Sequence, residues 1–287
     1  MSSHRRLDTN VPGSLYVTSA CIDCDTCRQL APRIFTEARG FSTVAHQPET
    51  GLERKQALQA LLACPTAAIV SDEKSDIAEA MADFPLLLED GVHYCGYTSP
   101  KSFGGSSYFI IRPNGNWLVD APRYVPSLAR RIEEMGGIDT IFLTHRDDVA
   151  DAKLYAERFG AKRIIHAIER EAQPDAEHVI EGFKDVQWDN EMKIVVVPGH
   201  TRGSMVLLYR ERFLFTGDHL AWDRRRGTLE AFDDYCWYSW EEQGISMDRL
   251  AAETFEWVLP GHGERVKLPS ADMKKAMQRL VNEMRGR

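Results

Sequence analysis

Four short apolar runs in the second half of the chain each end in a residue able to ligate a metal ion. The first, Ile141-Phe142-Leu143-Thr144, runs into His145-Arg146-Asp147-Asp148-Val149-Ala150-Asp151. The others are Val195-Val196-Val197-Pro198-Gly199-His200, Phe213-Leu214-Phe215-Thr216-Gly217-Asp218-His219 and Trp257-Val258-Leu259-Pro260-Gly261-His262. Short runs of branched and aromatic residues read as buried strands. A glycine at the end lets the backbone turn and clears space around the side chain that follows. A single Gly-His is weak evidence and equally describes a surface turn. Four strand ends of one kind demand a fold that gathers strand ends together.

In the first run, alternation along a strand puts His145 and Asp147 on one side, where both can reach one ion. Asp147 or Asp148 can instead cap the helix expected over Ala152–Phe159. The carboxylate of Asp218 is able to bridge two cations, whereas alternation points His219 away from it. Beyond this, Arg224-Arg225-Arg226 reads as a solvated loop or an anion clamp. The aromatic stretch from Phe232 to Trp240 lines a pocket or underlies the last helices. Cys236 reads as packing, and Ser270 as the cap of a closing helix over Ser270–Arg285.

The first part of the chain carries different chemistry. It reads Cys21-Ile22-Asp23-Cys24-Asp25-Thr26-Cys27, with Cys64-Pro65 much later. In a chain with no visible secretory leader, clustered cysteines point to metal rather than disulfides. Two-residue spacers let a tight loop present three thiolates, and the distant fourth completes a site of the kind that holds a [4Fe-4S] cluster. Tetrahedral zinc also accepts four cysteines, but zinc sites usually pair them as two knuckles. Three in a row with a lone Cys-Pro favour iron–sulfur. The segment resembles a single-cluster bacterial-type ferredoxin domain, and Ala31, where a two-cluster ferredoxin carries a further cysteine, implies one cluster only. A helix over 52–63 brings the chain back to Cys64.

The expected organisation is a small α+β ferredoxin-like domain over 13–72, a linker over 73–85 and a large domain over 86–287. The charge-rich stretch from Ser71 to Asp76 opens the linker, and a short helix over 77–84 is stopped by Pro85. Two strands joined by a turn follow over 86–94, then a hairpin over 103–120 turning at Pro113-Asn114-Gly115-Asn116. A helix over 126–135 ends at Gly136-Gly137, ahead of a strand over 138–143. His93 and Cys95 read as packing residues. The 287 residues suit one large domain plus a small one, and 43% hydrophobic residues supply a core. The net charge of −8 argues against nucleic acid or an anionic membrane as partner. No apolar run approaches the roughly 20 residues of a spanning helix, and a cytoplasmic location is the default.

The order His-rich motif, Gly-His-Thr-x-Gly-Ser, Gly-Asp and Pro-Gly-His resembles the metallo-β-lactamase fold superfamily over roughly 86–287. That resemblance implies an α/β protein, a four-layer αββα sandwich with its metal site at one edge. The usual first motif is His-x-His-x-Asp-His. Here the second histidine is Asp147, and Val149-Ala150 stand where Asp-His belong; allowing two extra residues, Asp151 takes the Asp position. By resemblance, one site comprises His145, Asp147, His200 and Asp218, and a second, poorer one comprises Asp218, His262 and Asp151. The expected cofactors are therefore a [4Fe-4S] cluster and one or two divalent ions. Carboxylate in place of imidazole moves preference from zinc towards iron or manganese. Three readings follow. One is a hydrolase of an ester- or thioester-type small-molecule substrate, with Asp218 holding the ions and Asp147 accepting a proton. Another is an iron-dependent oxidoreductase fed through the cluster, with an electron-transfer partner. The third is a non-catalytic redox-sensing module.

Overall fold

Strands β1 (Leu15–Val17) and β4 (Ile69–Ser71) bring the two ends of the cysteine-bearing segment together as an antiparallel pair, with Val17 opposite Ile69. A computed structural model of the chain describes residues 4–73 and 77–286, so Lys74, Ser75 and Asp76 of the expected linker lie outside the described residues. Helix α1 (Thr26–Leu30) begins inside the cysteine motif. The hairpin of β2 (Phe35–Ala38) and β3 (Phe41–Val44) turns at Arg39 and Gly40. Both residues have positive φ, as a two-residue turn of this hand requires. Helix α2 (Gly51–Ala63) starts at a capping box in which Thr50 and Glu53 satisfy each other's backbone N–H. It buries Ala57, Ala60 and Ala63 and delivers Cys64 as its C-cap.

The chain divides into two compact units, but not at the linker. The first takes the described residues up to Asp139 together with Ala150–Gly160; the second takes Thr140–Val149 and everything from Ala161. Besides the cysteine-bearing segment, the first unit holds α3 (Ala78–Ala82) and an antiparallel meander. The meander comprises β5 (Leu86–Glu89), β6 (Val92–Tyr94), β7 (Tyr108–Ile110) and β8 (Trp117–Val119). It also holds α4 (Pro126–Glu134), with proline at its start, and α5 (Ala152–Phe159), stopped by Gly160 in the left-handed conformation. His93 and Cys95 are buried, as packing residues should be.

In the second unit, β9 (Thr140–Phe142), β10 (Lys162–His166) and β11 (His178–Ile180) run parallel, with Ile164 beside Phe142 and beside His178. A six-stranded sheet contains β12 (Val186–Gln187), β13 (Met192–Val196), β14 (Met205–Tyr209), β15 (Phe213–Gly217), β18 (Trp257–Pro260) and β19 (Val266–Lys267), in that order. Between β15 and β18 the chain forms the small hairpin of β16 (Ala221–Asp223) and β17 (Thr228–Glu230) and helix α6 (Trp240–Leu250). Helix α7 (Ser270–Arg285) closes the chain. Its apolar face of Met273, Met277, Leu280 and Val281 joins Leu208 and Met247 in one core cluster, each large side chain contributing roughly 1.5–3 kcal/mol of burial. Ser270 is the first helical residue and not its cap; Pro269 holds the cap position, with no side-chain hydrogen bond.

Strand pairing in this unit gathers the ligand-bearing ends. Parallel strands β15 and β18 finish side by side, Gly217 beside Pro260, and Gly261 N–H donates to Gly217 O at 2.8 Å. The loop between antiparallel β13 and β14 is pinned by Thr201 N–H to Ser204 Oγ and by Val197 N–H to Ser204 O. Met205 N–H donates to Thr144 O at 2.8 Å, which ties that loop to the end of the first motif. No helix among the described residues is long and apolar enough to cross a membrane.

Candidate metal centres

Cys21, Cys24, Cys27 and Cys64 line one pocket together with Thr26 and Ser42, and all four are free thiols. The chain winds between them because Asp23 and Asp25 take the left-handed conformation, which aspartate tolerates better than most residues. Arg28 holds both carboxylates, Asp23 at 2.5 Å and Asp25 through its Nε, and also donates to Ser42 Oγ at 2.9 Å. Backbone N–H groups point at sulfur: Asp23 to Cys21 Sγ at 3.4 Å and Ala68 to Cys64 Sγ at 3.3 Å. Burial pushes the Cys24 thiol up to about 11 and raises that of Cys27 as well. Four convergent thiols in a pocket that disfavours free thiolates, with N–H donors aimed at sulfur, fit a thiolate-held cluster.

The second centre lies wholly within the second unit. His145 Nε2 is 3.7 Å from both Asp147 Oδ2 and Asp218 Oδ2, and His200 Nε2 is 3.6 Å and 3.7 Å from the same two atoms. His262 Nε2 stands 3.8 Å from Asp218 Oδ2 and 3.9 Å from Asp148 Oδ1. These separations exceed a hydrogen bond. They suit donors that share an ion, since two ligands about 2.1 Å from a tetrahedral ion lie roughly 3.4 Å apart. The Nε2 atoms of His145 and His200 and Oδ1 of Asp218 are buried with no hydrogen-bond partner among the described residues. Buried polar atoms are rarely left so, and the donor set fits divalent cations. Asp218 faces both groups through Oδ2.

The surrounding charge agrees. Burial drives the His145 imidazole towards its neutral, metal-binding form. Burial pushes the Asp218 carboxyl up, but His262, His145 and His200 outweigh it and hold the group below the usual range. His200 is also the main influence holding Asp147 low.

The structure brings together His145, Asp147, His200, Asp218 and His262, but not Asp151. The Asp151 carboxylate accepts from Lys101 Nζ at 2.7 Å and from Tyr124 N–H at 2.8 Å. Its expected place beside His262 and Asp218 is taken by Asp148. The reason is local: β9 ends at Phe142, and the bend over Thr144, His145 and Arg146 and the turn at Asp147 and Asp148 release adjacent residues from strand alternation. Asp147 and Asp148 thus face different partners, the first side chain 48% exposed and the second 2%. His219 is buried with neither ring nitrogen hydrogen-bonded among the described residues, and burial pushes its pKa down to about 3. It stands against Gly199, whose missing Cβ would come within 2.8 Å of the ring, and it is not one of the grouped ligands.

Glu169 carries no sequence signal, yet it braces two ligand loops. Its Oε1 accepts from Gly203 N–H at 2.8 Å and its Oε2 pairs with Arg146 Nε at 3.3 Å. Trp237 and Tyr238 donate their N–H groups to His200 O, while the Trp237 side chain is 61% exposed. Trp237 and Tyr238 therefore form a rim near His200, while Trp240 packs partly buried against the core cluster. Cys236 Sγ donates to Gly199 O at 3.2 Å. Arg224 and Arg226 pair with Glu264 and Glu283, in keeping with a solvated loop.

Fold and site together define a class, an α/β scaffold that collects strand ends around metal ions. The chain belongs to the metallo-β-lactamase superfamily, whose family model matches residues 90–282. A second model, the 4Fe-4S single cluster domain of ferredoxin I, matches residues 17–71. Among solved structures, the metallo-β-lactamase from Hirschia baltica is 16% identical, with 68% of this chain and 96% of that chain covered and a TM-score of 0.51. FIM-1 from Pseudomonas aeruginosa, in its mono-zinc form, is 17% identical, with coverages of 69% and 93% and a TM-score of 0.51. VMB-1 is 18% identical, with coverages of 69% and 95% and a TM-score of 0.50. At these identities the likeness is one of fold. No curated relative matches the chain.

Proposed function

We propose that the protein is a metal-dependent hydrolase acting on an ester- or thioester-type bond of a small-molecule substrate, joined to an iron–sulfur module. The observation that carries this reading is the sharing of Asp218 between the His145/His200 pair and His262, with Asp147 half-exposed beside the first pair. Divalent ions held there would supply Lewis acidity, activating water and polarising a carbonyl. His145, His200 and Asp147 hold one side, His262 and Asp148 the other, and Glu169 fixes the loops that carry them. Asp147, whose side chain is half-exposed while Oδ2 faces the two imidazoles, accepts the proton of the attacking water on its carboxylate and returns it to the departing alkoxide or thiolate as the bond to the acyl carbon breaks. The cytoplasm, where thiols stay reduced, suits the cysteine site.

A second reading is iron-dependent redox chemistry fed by the cluster and an electron-transfer partner. It is favoured by Asp147, a carboxylate where the superfamily pattern has an imidazole, which with Asp148 makes a harder donor set. A panel of esters, thioesters and lactones separates the two. Hydrolysis predicts that Asp147→Ala lowers kcat/KM by about a hundredfold or more while Cys24→Ser retains turnover. Equal loss in both variants would replace the hydrolytic reading by the redox one.

A further inference from the structure

A turn far from the cysteine motif lies against Cys24 and Pro65, two of the residues that line the cysteine pocket. Residues 99–105 contain one short 3-10 turn, Pro100–Ser102, after which Gly104 N–H donates to Ser99 O at 2.8 Å and Gly105 N–H to Ser102 O at 2.7 Å. Gly104 has φ +87°, and a Cβ on it would lie 2.6 Å from Cys24 Cβ, 3.0 Å from Cys24 Sγ and 3.2 Å from Pro65 Cγ. Bare backbone therefore rests on one cluster cysteine and on the proline that follows another. The turn is anchored on both flanks. Thr98 gives both its N–H and its hydroxyl to Ala63 O, next to Cys64, at 3.1 Å and 2.8 Å. Lys101 Nζ reaches Asp151 Oδ1 at 2.7 Å, and the other oxygen of Asp151 takes Tyr124 N–H. All these residues belong to the first compact unit.

We propose that this turn is a working part of the iron–sulfur site, with Gly104 as the positioning residue that seals Cys24 against water. The family model for the cluster domain stops at residue 71, so the seal comes from the part of the chain matched to the metallo-β-lactamase superfamily or leading through it. Solvent exposure and hydrogen bonding to sulfur set cluster potentials. A reduced cluster carries one more negative charge than an oxidised one, so admitting water raises the potential and opens the iron to attack by oxygen.

The test compares the full-length protein with Gly104→Ala and Gly40→Ala, each purified anaerobically. Gly40 has a similar φ of +75° with nothing within 4 Å of a built Cβ, so its variant carries the backbone strain without the clash. Iron and sulfide per chain, bleaching of the cluster absorbance in air and the reduction potential are read. Gly104→Ala is expected to bleach about tenfold faster, the order seen when groups supporting a metal ligand are changed, and to show a higher potential. Gly40→Ala is expected to match the parent protein. Parent-like bleaching and potential in Gly104→Ala, or equal lability in both variants, would overturn the proposal. If Gly104→Ala does not accumulate as a folded chain, Lys101→Met decides, because it frees the turn from Asp151 without adding bulk at Cys24. Faster bleaching then supports the seal, and parent-like bleaching overturns it.

Discussion

Gly261 has no room for a side chain: a Cβ there would stand 2.4 Å from Asp148 Oδ2 and 2.7 Å from Asp218 Oδ1. Two carboxylates crowd one backbone atom, and His262 Nε2 is within 3.9 Å of both residues. That packing makes Asp148 the group that answers to a second ion, while Lys101 and Tyr124 account for Asp151. Asp148→Ala is therefore expected to lose one of the divalent ions per chain, with affinity for it lower by about 10–100-fold. Asp151→Ala is expected to keep the full complement. Metal analysis after dialysis against a weak chelator checks both, and a full complement in Asp148→Ala would return the second site to other residues. His145, Asp147, His200, Asp218 and His262 were legible in the sequence because each follows an apolar run at a fixed offset. Asp148 was not, because its orientation depends on a non-strand path that no periodicity encodes, and Glu169 was not, because it lies outside every motif.

At the scale of elements, the helices were the most legible. The expected helices over 52–63, Ala152–Phe159 and Ser270–Arg285 fall on α2, α5 and α7 almost residue for residue: α5 and α7 each bury one apolar face, and α2 starts at a capping box. Strand ends were less so: β9 stops at Phe142, short of the motif it serves. The pairing of β10 with β11 rests on a residue that sequence reasoning did not single out. Arg163 is buried on β10 and receives the Glu177 carboxylate at its backbone N–H, 2.7 Å, and at Nη2, 2.9 Å, just before β11. The Arg163 guanidinium, foremost, holds the Glu177 carboxyl down to about 2, well below the ordinary glutamate value of 4.5. A carboxylate held low in the folded state adds stability that is complete above its unfolded value and is lost as pH falls through its folded one. Glu177→Gln should thus cost roughly 1 kcal/mol at neutral pH, a figure reduced for the partial exposure of the pair. Urea unfolding should show the difference shrinking as pH drops from 4.5 towards about 2. A difference that persists unchanged through that window would assign the cost to lost packing instead.

For the whole molecule, two inorganic centres fall in two compact units whose border is not the border between the two family matches. The ligand side chains of the divalent-metal centre all belong to the second unit, and the four cysteines to the first. The first unit also contains β5 to β8, α4 and α5, which the sequence assigned to the large domain. Thr98 and Arg123, from beyond the linker, bond Ala63 O and Leu62 O at the end of α2, next to Cys64. A group bound only by the folded state stabilises whatever folds with it. Losing the cluster should then loosen more than residues 17–71, the span of the cluster-domain match. Hydrogen exchange on Cys24→Ser is expected to rise in 86–139 and 150–160 as well as in the cysteine-bearing segment. Amides of β13, β14, β15 and β18 should keep most of their protection, because they share a unit with the other centre. Exchange that rises in 17–71 alone would show that the ferredoxin-type segment folds independently and that the unit border carries no thermodynamic weight. A rise throughout β13 to β18 would instead make the two units one cooperative body, and the retained turnover expected of Cys24→Ser would be lost with it.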